Sequence, residues 1–324
     1  MRVSRLCLGL VLATVHLLAG GPDAQAQEAP PEGAPSFTVA PDAAPSAKGS
    51  PGMEPSTGSF TRMIPIEVPA YHGIEPRLAL VYSSQAGNGF VGVGWRLTGF
   101  SVVERTRNGR GTPRFTATDV FLLDGQELLP CSAAPQSPGC AAGGTHATKQ
   151  ESYAKIRFDE ENNTWTVWSR NGVRTVLEEV YRASAGTLRW GQKQTIDTHA
   201  NTVTYAWECV GGDCYPASVS FGPFMVTLLR EERPDVLSFA TGGPSGIGKT
   251  RQRLATVLVE RGTLPNPRIP IRAYRLGYVP SPVTARSLLQ EVQQYGTDVQ
   301  VTGGVVTGTS LPPQVFRYQG SVPE

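Results

Sequence analysis

Two glycine-rich stretches of this 324-residue sequence carry the residue types of nucleotide-binding loops. The first, GNGFVG from Gly87 to Gly92, matches the G-x-G-x-x-G pattern that lets a helix N-terminus approach a pyrophosphate. The second, GPSGIGKT from Gly243 to Thr250, matches G-x-x-x-x-G-K-T, in which backbone amides, a lysine and a hydroxyl hold phosphates and Mg²⁺. Each pattern predicts nucleotide chemistry only if a helix begins at its glycines.

The sequence around the first stretch disfavours a helix. Gly94 and Gly99 follow Gly92 closely, and each glycine weakens a helix by about 1 kcal/mol relative to alanine. A dinucleotide site also needs an acidic residue about 20 positions after the turn. Positions 106–108 and 110 hold Thr, Arg, Asn and Arg instead. We therefore expect a glycine-rich hairpin in which two backbones pass closely and Trp95 packs.

The second stretch keeps a nucleotide hypothesis open. The apolar run DVLSFA precedes it as a strand would, and Leu254, Val257 and Leu258 behind it have helical spacing. A carboxylate that binds Mg²⁺ should end a later strand, but Asp298, in the turn-like YGTD, is the sole aspartate after the stretch. We expect a Gly/Pro loop between two strands. A P-loop nucleotide-binding protein that uses Gly243–Thr250 remains the alternative.

The other polar residues form no catalytic or metal-binding pattern. His72, His146 and His199 are scattered in turn-like surroundings, and the G-x-S-x-G elbow of serine hydrolases is missing. Adjacent glutamates, at 160–161, 178–179 and 231–232, would point to opposite faces of a strand, which suits solvated charge better than paired acid–base work. We predict a protein that is not an enzyme and has no catalytic, cofactor-binding or metal-binding residues.

The N-terminus has the layout of a secretory signal peptide. Arg2 and Arg5 precede the apolar run Leu6–Leu18, and Ala24-Gln25-Ala26 forms a small-x-small cleavage signal. The apolar run is too short to cross a bilayer, which needs about 20 residues. We predict a signal peptide at 1–26, no membrane span after its cleavage, and a secreted or periplasmic protein.

Composition divides the remaining chain. Residues 27–58 are rich in Pro, Ala, Ser and Gly, which predicts a disordered leader, and 59–324 is long enough for one large domain. A net charge of +2 with 17% charged residues leaves no electrostatic footprint for nucleic acid. Disulfides are expected within two local cysteine pairs, Cys131 with Cys140 and Cys209 with Cys214, because neither pair has zinc-site spacing.

Alternation of apolar and polar residues dominates after residue 58. In YAKIRFDEENNTWTVWSRNGVRTVLEEVYR, two turns separate three strands, the second at Asn171-Gly172. NTVTYAWE places Val203, Tyr205 and Trp207 on one face, while SLLQEVQQYG fits a short helix or a strand. The pattern predicts an all-β fold of multi-hairpin antiparallel sheets, shell- or sandwich-like, with the tryptophans at 165, 168, 190 and 207 in its core.

The stretch from Gly58 to Asn108 resembles the opening of the SpvB-type N-terminal domain. The resemblance rests on IPIEVP, EPRLALVYSS and AGNGFVGVGW in the family's order and spacing, and it continues through RPDVLSFA, IRAYRLGYV and LPPQVFRYQ. IDTHANTVTYAWE is also similar to the D-x-x-G-N-x-x-x-Y pattern of tyrosine-aspartate repeats, with Ala200 in place of the glycine.

Domains of this type begin the Salmonella virulence-plasmid protein and the B components of insecticidal toxin complexes. The resemblance implies that AGNGFVGVGW is a structural turn and that the domain forms part of a β-sheet shell around a toxic partner. In the plasmid protein a separate ADP-ribosyltransferase domain follows, and its Glu-x-Glu pair is missing from this sequence.

We therefore expect a secreted, non-enzymatic scaffold or shell-assembly module of a bacterial toxin or virulence protein, without a cofactor. Its expected partner is a protein that carries repeat, shell or toxin domains, and not a nucleic acid. A carbohydrate- or surface-binding β domain is a further alternative.

Overall fold

The computed structural model describes residues 58–318 except 110, 244–245 and 263–266, together with the backbone of two short strands before residue 58. Nearly all regular structure is antiparallel β-sheet, so the predicted all-β class is confirmed. The predicted signal peptide and most of the predicted leader lie outside the described residues. The domain boundaries at 26 and 58 stay predictions.

The first strands form a small sheet and a short hairpin, and one of them extends a larger sheet. They are β1 (Thr38–Val39), β2 (Gly52–Glu54), β3 (Ser59–Pro65), β4 (Ala79–Ser83), β5 (Asn88–Gly89), β6 (Gly92–Val93) and β7 (Trp95–Thr98). Sheet order is β2-β3-β4-β7, and β5 pairs with β6. Two segments of the predicted leader, β1 and β2, thus pair as strands.

The next strands close into a barrel. They are β8 (Val102–Arg107), β9 (Asp119–Leu123), β10 (Gln126–Pro130), β11 (His146–Thr148), β12 (Lys155–Asp159), β13 (Thr164–Trp168), β14 (Arg174–Ala183) and β15 (Gly186–Ile196), with the single-turn helix α1 (Pro138–Ala141) between β10 and β11. Each strand pairs with the next, and β15 pairs back with β8. Trp165 and Trp190 fill the interior with Ile156 and Leu177, as expected for a barrel too narrow for a channel.

The same sheet continues beyond the barrel. The strands that follow along the chain are β16 (Thr202–Val210), β17 (Asp213–Phe221), β18 (Phe224–Ala240), β19 (Ile247–Arg261), β20 (Ile269–Pro280), β21 (Ser287–Tyr295), β22 (Gln300–Thr302), β23 (Val305–Thr307) and β24 (Gln314–Arg317). The order runs β15 to β21, then β24 and β1, while β22 and β23 form a separate hairpin. SLLQEVQQYG is therefore strand β21.

One face of this extended sheet is covered by the small sheet β2-β3-β4-β7. Alternating residues of both sheets meet in one core, in which Leu80 and Trp95 pack with Val257 and Leu276. The arrangement is the predicted sandwich, joined edge-on to a closed barrel.

The predicted turns and cysteine pairs are present. The hairpin between β13 and β14 turns through Arg170 and Asn171, where the Gly172 amide donates to the Ser169 carbonyl at 3.0 Å, and Gly172 follows with φ of 82°, a left-handed conformation that favours glycine. Disulfides join Cys131 to Cys140 and Cys209 to Cys214, as predicted. No helix in the described part of the chain has the length and hydrophobicity needed to cross a membrane.

Candidate functional site

The first glycine stretch is a hairpin against the extended sheet. Gly92 and Gly94 have φ of 92° and 77°. A Cβ atom added at Gly92 would lie 2.7 Å from the Ser287 carbonyl oxygen. One added at Gly94 would lie 2.3 Å from the Tyr82 ring. Both positions therefore require glycine for conformation and for space. Trp95 is buried beside them, so the predicted close-packed hairpin is confirmed.

A buried ion pair on β18 holds this hairpin in place. Arg233 and Asp235 lie 3.0 Å apart, with side chains 0% and 5% exposed. Arg233 donates to the Gly89 carbonyl at 2.9 Å and to Asn88 Oδ1 at 3.0 Å, and the Asn88 amide donates to Asp235 at 3.1 Å. The hairpin thus binds a guanidinium and a carboxylate of its own chain where a dinucleotide site would bind pyrophosphate.

The Asp235 carboxylate is held in its charged form. Burial raises its pKa, but hydrogen bonds from Arg233, from the Ser287 hydroxyl and amide, and from Asn88 outweigh burial and keep the pKa well below its ordinary value. Each buried charge is therefore compensated by the other and by neighbouring dipoles, as a buried pair requires.

The second glycine stretch lies between two strands. Gly248, Lys249 and Thr250 belong to β19, and no helix begins there. The Lys249 amide donates to the Gly212 carbonyl at 3.2 Å, and the Thr250 hydroxyl donates to Asp213 at 2.7 Å. The P-loop alternative is therefore wrong, because an extended backbone already paired with β18 cannot wrap its amides around a phosphate.

The loop before β19 docks on the barrel. A Cβ atom at Gly242 would lie 2.5 Å from the Pro113 carbonyl oxygen and 2.8 Å from the Phe115 ring. At Gly243 it would lie 2.9 Å from the Ser184 hydroxyl. These close approaches explain Gly242 and the first glycine of the motif, Gly243, as packing positions between the barrel and the long hairpin β18–β19.

Both glycine stretches border a cleft between the barrel and the extended sheet. Its volume is about 520 Å³. Barrel residues form one side, and the first hairpin with β17 and β19 forms the other. The lining residues are Gly89, Phe90, Arg96, Val102, Glu104, Asp124, Gly125, Arg189, Trp207, Asp213, Cys214, Tyr215, Pro216 and Thr250.

A charge network crosses this cleft. Arg189 on β15 donates to Glu104 at 2.9 Å and to Asp213 at 3.1 Å, and Asp213 also accepts the Thr250 hydroxyl. Burial lowers the pKa of Arg189, but the two carboxylates outweigh it and raise the pKa above its ordinary value. The network joins two barrel strands to β17 and β19. The charges of Arg189, Glu104 and Asp213 are thus paired with one another in the contact between the barrel and the extended sheet.

The histidines do not assemble a site. His72 has a positive φ of 52°, and His199 lies in the turn between β15 and β16. The turn-like setting expected for His146 is wrong, because it lies on β11 with its ring 4.9 Å from that of Trp165. Burial lowers the pKa of His146 to about 4, so it is neutral at physiological pH. The described residues contain no group of three or more potential metal ligands.

The residues that organise the cleft have weak signals in the sequence. Arg189 lies between Leu188 and Trp190 in β15, whereas Arg233 lies in the charged stretch REERPD of β18, two residues before Asp235. A charge at an inward position of a strand, with an acid two residues away, is the available signal for such a pair. The partners of Arg189, by contrast, are far away in sequence.

Comparison with known proteins identifies the fold. The family model described as Salmonella virulence plasmid 65kDa B protein, SpvB, matches residues 54–213. The mono(ADP-ribosyl)transferases SpvB of Salmonella typhimurium and Salmonella dublin are 27% identical over 178 residues, which are 46% of this chain and 30% of theirs. The match thus spans less than a third of the length of those relatives.

Solved structures share the architecture. The N-terminal domain of effector protein SpvB from Salmonella typhimurium strain LT2 has a TM-score of 0.59 at 17% identity, covering 72% of this chain and 98% of that one. A chain of the Photorhabdus luminescens Tc holotoxin pore has a TM-score of 0.62 at 18% identity, covering 82% of this chain and 16% of that one. A TcdB2-TccC3 crystal structure has a TM-score of 0.58 at 17% identity, covering 82% and 16%.

Proposed function

Because this chain contains an SpvB-type domain with the fold found in Tc toxin components, we propose that it is a secreted, non-enzymatic structural module. It serves as a scaffold or shell-assembly part of a bacterial toxin or virulence system, and its partner is another protein. The transferase activity in the names of the relatives is no part of this proposal, because the match covers 30% of their length.

This proposal rests on one observation: the charged residues of the cleft form ion pairs with one another. Glu104, Arg189 and Asp213 are bound to one another across the junction of barrel and sheet. An enzyme site would instead direct an activated acid, base or nucleophile at a substrate. Charges bound in this way fix the barrel to the sheet, which gives a rigid platform for a protein partner.

The surface of the described region supports a protein partner. Ile247 and Ile269 are 68% and 67% exposed at strand starts, and Val305 is 63% exposed on the β22–β23 hairpin. Sheet edges and exposed apolar side chains are features that neighbouring domains cover in larger assemblies. In the Tc structures the matching region is 16% of a much longer chain.

Two disulfides support an exported location. Cytosolic proteins rarely keep such bonds, whereas oxidising compartments preserve them. We propose that the signal peptide predicted at 1–26 directs export and that the mature protein begins at Gln27. N-terminal sequencing of the exported protein tests this step.

Co-expression with the products of neighbouring genes tests the scaffold role. We expect a stable complex with a protein that carries repeat or toxin domains, detected by size-exclusion chromatography with light scattering, and an interface of at least about 1,200 Å². Deletion of this chain should impair toxin activity or export. A monomer that binds no candidate, and whose deletion changes neither property, would contradict the scaffold role and favour the surface-binding alternative.

A further inference from the structure

The outer wall of the barrel carries a basic surface on β12–β14. Ile156 and Phe158 of β12 point into the barrel core, as do Trp165 and Val167 of β13. The alternate residues therefore point outward. Pairing places Lys155 opposite Trp168 and Trp168 opposite Arg174, and it places Arg157 two residues along β12. With Tyr153 and Arg170 beside them, these residues form what we call the basic pole.

The cations of the basic pole lack ion-pair partners. Within the part of the chain that the structure describes, ion pairs form at Arg105, Arg182, Arg189, Arg230, Arg233, Arg253, Arg272 and Arg275, and at Lys149. Lys155, Arg157, Arg170 and Arg174 form none, and the three arginines are exposed. Cations that share one surface and form no ion pair repel one another. This cost is relieved when an anion binds.

Two aromatic rings fix the positions of these cations. Lys155 Nζ lies 4.1 Å from the centre of the Trp168 ring, and the Arg170 guanidinium lies 5.2 Å from the centre of the Tyr153 ring. Ordered side chains lose less conformational entropy when they bind. One face of each ring is therefore occupied by a cation of this chain.

The opposite end of the same barrel wall is acidic. Asp159, Glu160 and Glu161 lie at the turn between β12 and β13, and Glu178 lies on β14. These four residues form the acidic pole. Asp159 is four residues from Lys155, about 13 Å along a strand, but only two residues from Arg157. Hydrogen bonds from Asn162 and the nearby Arg157 charge lower the pKa of Asp159, so the two poles meet between Arg157 and Asp159. Glu151, bound to the Tyr153 amide, lies beside the basic pole.

We propose that the basic pole binds an acidic, extended segment of the partner protein, and that the acidic pole fixes the segment's direction. This rests on the proposed scaffold function and names the chemistry of its partner. Lys155 and Arg157 are about 6.8 Å apart along β12, which is the spacing of alternate carboxylates in an extended peptide. A uniformly anionic membrane or nucleic acid would face repulsion from the acidic pole.

A labelled peptide of alternating glutamate and threonine tests the proposal on the full chain. Fluorescence anisotropy at low ionic strength should detect binding to the wild type. The double variant Arg157→Glu/Arg174→Glu should weaken it by about tenfold or more, because two attractions become repulsions. The variant Lys249→Glu/Arg286→Glu has the same charge change at exposed positions on β19 and before β21, and it should bind like the wild type.

Other outcomes would overturn the proposal. These are no binding of the peptide, equal weakening in both double variants, or tighter binding to phosphatidylglycerol vesicles or a single-stranded oligonucleotide than to the peptide. If a partner complex forms and Arg157→Glu/Arg174→Glu leaves its affinity unchanged, the scaffold function stands and the basic pole is not its docking surface. Unchanged thermal melting shows that each variant is folded.

Discussion

The barrel and the sandwich solve the problem of burying a sheet face in different ways. The barrel is formed by one continuous segment, 102–196, and closes through a single distant pairing between β8 and β15. The sandwich needs chain from both sides of that segment, since β3, β4 and β7 cover strands that lie between residues 202 and 317. In the barrel core Trp165 and Trp190 pack among aliphatic side chains, whereas the larger sandwich core combines aliphatic side chains with tyrosines, phenylalanines and Trp95.

The difference indicates where each half is vulnerable. In the described part of the barrel core, Trp165 contacts the rings of Phe121, Phe158 and Trp190, and none of the core residues is charged. The sandwich depends on the buried pair Arg233–Asp235 to hold the glycine hairpin against the extended sheet. We expect a void to damage the barrel most and an uncompensated charge to damage the sandwich most.

The largest expected effect comes from Trp165→Ala. Trp165 is fully buried and stacks on Phe158 with ring centres 4.6 Å apart. Its removal should lower the free energy of unfolding by about 3 to 5 kcal/mol, measured by urea denaturation. Hydrogen exchange should rise first in β9–β13. The control Trp168→Ala, on the outer wall, should cost less than about 1 kcal/mol. Equal loss of protection in β18–β20 would show that the two regions unfold as one unit.

Arg233→Met should damage the sandwich to a similar or slightly smaller extent. The substitution leaves Asp235 buried without its cation, which costs about 3 to 5 kcal/mol. Exchange should increase at the β5–β6 hairpin and at Ser287, while the barrel core keeps its protection. Arg251→Met, at an exposed position of β19, is the matched control. A double-mutant cycle with Asp235→Leu that shows no coupling would contradict the assigned role of the pair.

The stability difference between wild type and Asp235→Asn should depend on pH. The pKa of Asp235 is lowered in the folded state. Its contribution to stability is therefore complete above the unfolded pKa of about 3.9 and declines as pH falls below that value. Urea denaturation at a series of acidic pH values should show the difference shrinking. A difference that is constant, or that grows, as pH falls would contradict the pKa direction.

Loss of the Cys209–Cys214 disulfide should loosen the junction between the two regions. The bond closes a short hairpin whose tip contains Asp213, the partner of Arg189 and Thr250. Chain-entropy arguments give a cost of about 2 kcal/mol for Cys209→Ser/Cys214→Ser. Exchange at residues 212–214 and 250 should rise. The double variant Cys131→Ser/Cys140→Ser should cost a similar amount but leave residues 212–214 and 250 protected from exchange. Faster exchange at those residues in this variant would contradict a specific role of the Cys209–Cys214 bond at the junction.

The smallest expected effect is a gain in stability from Ala200→Gly. Ala200 has φ of +65° in the turn between β15 and β16. A left-handed conformation disfavours residues with a Cβ atom, and relief of this strain outweighs the flexibility that glycine adds to the unfolded chain. We expect a gain of about 0.5 to 1 kcal/mol in thermal unfolding. Ala206→Gly, at an exposed position in β16, should be destabilising, and a gain there would remove the explanation.

Local patterns in the sequence predicted the strands and turns. Alternation identified β12, β13 and β14, and Asn171-Gly172 identified the turn between the last two. The spacing of the cysteines predicted both disulfides. Alternation did not show which strand face is buried at every position: Trp168 and Trp207, expected in the core, are only partly buried. The period of SLLQEVQQYG fitted a helix as well as a strand.

The sequence by itself determined the all-β class, the rejection of a dinucleotide turn at Gly87–Gly92, and the resemblance to the SpvB-type domain, because each follows from neighbouring residues. Only the tertiary structure decided that β15 returns to β8, that Arg189 joins Glu104 to Asp213, and that Gly248–Thr250 lie in a strand. These features depend on pairing between segments far apart in sequence. Hydrogen bonding and burial select that pairing for the whole sheet at once, and no short window of residues encodes it.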